Sequence, residues 1–139
     1  MVESVREVMT PNPTAFPATA TVGEAARAMR DLDIGDVIVL DNEQICGIVT
    51  DRDIVVRAVA DGREPAEVKL GDICSHEITT LAPTDEIAEA AIRMRERAIR
   101  RLPVVEHGRP IGVVSIGDLA AERDPGSALA DISAAPPNS

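Results

Sequence analysis

Two stretches of the chain, 65 residues apart, combine residue types that could hold a phosphorylated sugar. Gly47-Ile48-Val49-Thr50-Asp51-Arg52-Asp53 and Gly112-Val113-Val114-Ser115-Ile116-Gly117-Asp118 share a glycine, two aliphatics, a hydroxyl residue, two variable positions and an aspartate. The aliphatics read as the end of a strand and the aspartate as the first turn of a helix. A helix N-terminus presents unpaired N–H groups and partial positive charge, which suits an anion. The Thr50 or Ser115 hydroxyl could add a donor, and the Asp53 or Asp118 carboxylate could accept from two adjacent hydroxyls, as on a ribose. A purely structural reading is open too: a hydroxyl N-cap followed by a first-turn acid that the helix dipole favours.

Other chemistries find less support. The segment around Ser115 lacks the Gly-x-Ser-x-Gly pattern of a nucleophile elbow. His76 and His107 have no nucleophile or acid at motif spacing, and with Cys46 and Cys74 they fit no metal-ligand spacing. The two thiols read as buried or half-buried packing residues. No catalytic residue and no metal site is therefore expected. Among 139 residues the only aromatic is Phe16, and the formal net charge is −10. An acidic chain without rings lacks both the basic surface and the stacking platforms of nucleic-acid binders. No run approaches a membrane span, and Met1-Val2-Glu3-Ser4 does not open a secretory signal. The expected location is the cytoplasm.

The elements that must position the motif follow from an internal repeat. Shifted by 65 residues, Val5–Arg57 superposes on Leu70–Glu122 without a gap, with 12 identities in 53 positions. A unit of this size is marginal as a core of its own, so the copies are expected to pack together. Each opens with a short amphipathic piece, which Ser4 and Glu7 could cap in the first copy, and which Pro11-Asn12-Pro13 ends. An extended Thr14-Ala15-Phe16, matched by Thr79-Thr80-Leu81, leads to a helix for which Thr19 and Thr84 are candidate N-caps. Val22, Ala25, Ala26, Met29 and Leu32 recur there at helical spacing, as do Ile87, Ala90, Ala91 and Met94. Two apolar runs around a polar turn then predict a hairpin in each copy. Helices over about Arg52–Ala60 and Gly117–Glu122 close the copies. The expected fold class is α/β (α+β), two tandem β-α-β-β-α repeats packed as a pseudo-twofold pair. Residues 4–60 form repeat 1, 61–69 a linker, 70–123 repeat 2 and 124–139 a disordered tail.

The duplication, the unit and both Gly-aliphatic-aliphatic-Thr/Ser-x-x-Asp segments resemble a pair of CBS domains, a Bateman module. So do Glu7-Val8-Met9-Thr10, Thr50-Asp51-Arg52-Asp53-Ile54 and Arg100-Arg101-Leu102-Pro103-Val104-Val105. Stand-alone bacterial two-CBS proteins of the hypoxic-response type are similar in layout. The resemblance implies a homodimer and clefts between repeats for adenosine-containing ligands: AMP, ADP or ATP, less so S-adenosylmethionine or NAD(H). It implies Thr50 and Asp53 at one cleft, Ser115 and Asp118 at the other. Arg100 and Arg101 would meet phosphate, whose geometry a guanidinium fork suits. The backbone at Thr14-Ala15 and Thr79-Thr80 would meet the adenine edge. Gly35 and Asp36 stand where the second copy has Arg100 and Arg101. An acid there opposes phosphate, so at most one strong nucleotide site is expected. The implied function is regulatory sensing without chemistry, passed to a protein effector. The alternative is a stress-related structural or interaction protein with vestigial clefts.

Overall fold

The computed structural model describes residues 4–76 and 78–123, and the expected tail at 124–139 lies outside them. After a single 3-10 turn at Val5–Glu7 come β1 (Thr10–Pro11), β2 (Ala15–Pro17), α1 (Val22–Leu32), β3 (Asp36–Asp41), β4 (Gln44–Thr50) and α2 (Asp51–Ile54). A π-helical turn, Val55–Val59, continues α2. Then follow α3 (Leu70–Ile73), α4 (Ile87–Arg97), β5 (Arg101–Glu106), β6 (Arg109–Ser115) and α5 (Ile116–Arg123).

The chain divides into two compact units whose borders differ from those of the sequence repeats. One unit is Thr14–Ile78; the other joins the residues up to Pro13 to those from Thr79 onward. In the first, β2 pairs parallel to β3 and β3 antiparallel to β4, while Ser75 bridges Ile48. In the second, β1 pairs antiparallel to β6 and β6 to β5, and Leu81 bridges Val104 in parallel. Thr10 lies opposite Val113 as Ser75 lies opposite Ile48. Each repeat's opening piece thus completes the sheet of the other repeat. The motif glycines make this possible. A Cβ on Gly47 would lie 2.5 Å from the Ser75 carbonyl oxygen, and one on Gly112 would lie 2.9 Å from that of Thr10.

Each unit has its own core. Val22, Ala25 and Met29 of α1 pack with Val37, Val39 and Val49 of the hairpin and with Leu70, Ile73 and Cys74. In the other unit Ile87, Ala90 and Met94 of α4 pack with Leu102, Val104, Val114 and Val5. Both hairpins carry a bulge, where Leu40 pairs with Ile45 and Val105 with Pro110 while Val39 and Val104 face the motif glycines. An inserted residue at such a point bends the strand.

Several local details depart from the sequence reading. The N-cap of α1 is Thr21, not Thr19: its Oγ1 accepts the Glu24 N–H at 3.2 Å and Glu24 Oε2 accepts the Thr21 N–H at 2.9 Å. The N-cap of α4 is Glu86, not Thr84, and its side chain makes no cap. Two residues further on, the threonine at 21 has an acid at the third helical position, which a reciprocal box requires. Leu32 is exposed, because α1 ends beside it with Asp33 in the left-handed conformation. The helix expected at Arg52–Ala60 starts at Asp51 and widens, with the Ala60 N–H bonding to the Val55 carbonyl. Three β-branched valines in that turn crowd a narrower α-helix. The linker at 61–69 is anchored at its end: Val68 is buried, its carbonyl accepts the Val22 N–H and Lys69 bridges Thr21. At the first turn, Glu7 does accept the Ser4 N–H, at 3.2 Å.

Candidate functional site

Each motif lies where the last strand of a sheet becomes a helix, as its residue pattern implies. In the unit 14–78, Thr50 is the N-cap of α2. Its N–H donates to Asp53 Oδ2 at 2.9 Å, and its Oγ1 accepts the Asp53 N–H at 3.1 Å. The other unit repeats the box with Ser115 and Asp118, at 2.8 and 3.1 Å. The structural reading of both motifs is therefore realised: hydroxyl and carboxylate cap a helix. One Asp oxygen and the hydroxyl hydrogen lie outside each box, so capping and ligand contact are compatible.

The strand opposite supplies the neighbours. Asp36 is the register partner of Thr50, and the Gly35 carbonyl accepts the Asp51 N–H at 3.0 Å. Arg101 is the register partner of Ser115, and the Arg100 carbonyl accepts the Ile116 N–H at 2.8 Å. Both arginine side chains are exposed. The sequence-predicted set Arg100, Arg101, Ser115 and Asp118 therefore shares one sheet edge, at the N-terminus of α5. Thr50, Asp53 and Asp36 share the equivalent edge at α2. There Arg57 adds a contact that sequence reading missed: its Nε lies 3.9 Å from Asp53 Oδ1, and its guanidinium donates to the Ile73 carbonyl at 3.0 Å. The i,i+4 spacing from Asp53 was the available signal.

The predicted backbone contacts lie at the same ends of the sheets. Thr14 precedes β2, and its carbonyl accepts the Ile38 N–H at 2.9 Å. Ala15 pairs with Ile38 and is exposed. Thr79 and Thr80 precede Leu81, which pairs beside β5 as Phe16 does beside β3. The Thr80 carbonyl is already an acceptor, for Arg93 at 2.6 Å.

The two thiols sit together in the unit 14–78, Cys46 half-buried and Cys74 buried. Burial pushes the Cys74 thiol up to about 11, and Cys46 beside it adds to the rise. Burial also raises Cys46, with Asp41 contributing. Cys74 Sγ lies 3.6 Å from His76 Nε2. Among the described residues no three His, Cys, Asp or Glu side chains form a metal-binding group, and no helix is long and apolar enough to cross a membrane.

Known proteins share this arrangement. The chain is 33% identical over 134 residues to the CBS domain-containing protein YhcV of Bacillus subtilis, covering 94% of this chain and 95% of that one. It is 31% identical over 118 residues to hypoxic response protein 1 of Mycobacterium tuberculosis, covering 84% and 82%. A hexameric CBS-CP12 protein from bloom-forming cyanobacteria superposes with a TM-score of 0.76 at 28% identity, covering 89% of this chain and 74% of that one. The CBS domain model matches twice, at residues 5–59 and 70–124. With its duplicated unit, one three-stranded sheet in each unit and these matches, the chain belongs to the CBS domain family and carries two such domains in tandem.

Proposed function

We propose that the protein is a regulatory CBS pair that binds an adenosine nucleotide carrying phosphate, of the AMP, ADP or ATP class, at the Ser115–Asp118 edge. The observation behind this reading is the pairing of Arg101 with Ser115 in register at a helix N-terminus, with Arg100 next to it. There a guanidinium fork, helical N–H groups and a carboxylate that could take ribose hydroxyls lie together. The Thr50–Asp53 edge has the same box but Asp36 opposite, so phosphate binds there weakly. The reading includes a homodimer and a protein effector that senses ligand occupancy; the hexameric state of the cyanobacterial relative supports self-association.

Calorimetry with AMP, ADP, ATP, S-adenosylmethionine and NADH at up to millimolar ligand tests the reading. A phosphate-bearing adenosine ligand should bind, and Arg101→Ala should weaken it about tenfold or more. Absence of binding by any of the five would end it.

A second reading has an observation of its own. All four motif side chains serve helix caps, which a stress-related interaction protein without ligand would need just as much. Under that reading Asp118→Ala lowers stability and changes no binding.

A further inference from the structure

The two edges differ in one more respect than charge. In α4 the Arg93 guanidinium is a three-way clamp. Its Nη1 donates to the Thr80 carbonyl at 2.6 Å and lies 3.3 Å from Asp85 Oδ2, while its Nε donates to Glu89 Oε1 at 3.0 Å. Asp85 Oδ2 also accepts the Ala82 N–H at 2.8 Å, so the turn into α4 is tied to the same group. Arg93 is about one-third exposed and Asp85 one-quarter, which puts these charge-assisted bonds at the margin of solvent rather than in it. The helix that receives the clamp has no side-chain N-cap, whereas α1 has the Thr21–Glu24 box. At the equivalent places the first repeat has Ala28 for Arg93 and Ala20 for Asp85, so the guanidinium and one of its carboxylates are missing there.

We propose that Arg93 is a positioning residue for the nucleotide edge of the second repeat, fixing the Thr79–Leu81 backbone so that it is ordered before ligand arrives. This rests on the nucleotide reading above and adds a determinant that touches no ligand. A strand end that is already ordered loses less conformational freedom on binding. It also has a set chemistry: with the Thr80 carbonyl engaged by Arg93, that acceptor is directed away from a ligand. The edge of the first repeat, with Ala28 and Ala20 in place of Arg93 and Asp85, lacks this hold. Lysine at 93 would not replace arginine, because a single ammonium cannot reproduce the planar fork across the Thr80 carbonyl and two carboxylates.

The test is hydrogen exchange without ligand, paired with ADP and ATP calorimetry, on wild type, Arg93→Ala, Arg93→Lys and Asp85→Asn. The Leu81 N–H bonds to the Pro103 carbonyl and the Val105 N–H to the Leu81 carbonyl, so both amides report on this strand end. Arg93→Ala should speed exchange at these two amides about tenfold while amides of β3 and β4 stay unchanged. It should also weaken ADP about tenfold. Arg93→Lys should restore neither, and Asp85→Asn should give a smaller change in the same direction. Unchanged exchange at Leu81 and Val105, or faster exchange with unchanged ADP affinity, overturns the positioning role. If wild-type protein binds no nucleotide, the proposed function falls, while the ligand-free exchange still decides whether Arg93 holds the strand.

Discussion

At the start of β3 the chain places Asp36 opposite Thr50, and at the start of β5 it places Arg101 opposite Ser115. The two edges share a capping box with nearly equal distances, a helix N-terminus, and a backbone bond from the first helical N–H to the residue before the strand. The approach to each edge differs in the same sense. Arg30, Asp31, Asp33 and Asp36 precede or face the first, whereas Arg95, Glu96, Arg97, Arg100 and Arg101 precede or face the second. The shared helix terminus contributes about 0.3–1 kcal/mol toward an anion. A unit charge about 5 Å from a phosphate charge contributes about 0.8 kcal/mol even at the dielectric of water. Replacing repulsion with attraction therefore shifts binding by about 1.6 kcal/mol per phosphate charge, or roughly fifteenfold. On the proposed reading, the residue facing the motif outweighs the motif's own helix, and one register position in a shared scaffold sets which copy suits an anion.

Breaking the scaffold should have the largest effect, and it should be unequal. Gly47→Ala forces a Cβ to 2.5 Å from the Ser75 carbonyl oxygen and 2.8 Å from Cys74 Sγ. We expect a loss of about 3 kcal/mol or more in urea unfolding. Gly112→Ala should cost less, since its nearest neighbour, Met9 Sδ at 2.5 Å, ends a flexible side chain, though the Thr10 carbonyl at 2.9 Å still resists. Equal, small losses would contradict the account of the exchanged opening pieces.

Exchanging the charges should come next. Arg101→Asp should lower ADP affinity by about fifteenfold or more, and Asp36→Arg should raise binding at the Thr50–Asp53 edge. Calorimetric stoichiometry reads both: the second variant should move toward two equivalent sites. A fall in affinity on Asp36→Arg would remove the electrostatic argument.

How much of this was legible in sequence depends on the range of the interaction. The hairpins, α1 and α4 were legible because alternation and helical spacing are local. So was the repeat, and with it the opposed pair Asp36 and Arg101. The exchange of opening pieces was hidden: Val5, Val8 and Met9 look the same whichever sheet they complete. Its trace was the glycine of each motif, which can be read as part of a ligand loop until Met9, Thr10, Cys74 and Ser75 are seen against it. The α1 cap is legible as Thr21-Val22-Gly23-Glu24, but the repeated threonine at 19 and 84 draws attention two residues upstream of it. Arg93 gave no sign, since nothing in its neighbourhood announces a bond to Thr80, 13 residues away.

Two smaller effects sharpen the comparison of the units. Both long helices end in a left-handed residue, Asp33 at φ 54° and Ala98 at φ 53°. Asp tolerates that conformation better than Ala, so Ala98→Gly should stabilise by about 0.5–1 kcal/mol and Asp33→Gly by less, measured by thermal unfolding. The buried thiol of Cys74 has no counterpart in the other unit, where Met9 stands at the equivalent place. Its folded-state value of about 11 lies above the 9.0 of a free thiol, so the neutral form favours the fold. That contribution is complete below pH 9 and is lost as pH rises through about 11. Cys74→Ser should flatten the alkaline limb of the stability profile, and an unchanged limb would place its origin elsewhere.

The central claim is that the register partner of the motif hydroxyl decides which copy takes a phosphate-bearing adenosine ligand. An amide NMR titration of the wild-type chain with ADP tests it most directly. The account predicts saturable shifts at Arg101, Ser115, Ile116 and Asp118 at concentrations where Asp36, Thr50, Asp51 and Asp53 do not move. Shifts that begin at Thr50 and Asp53, or that rise together at both edges, would contradict it.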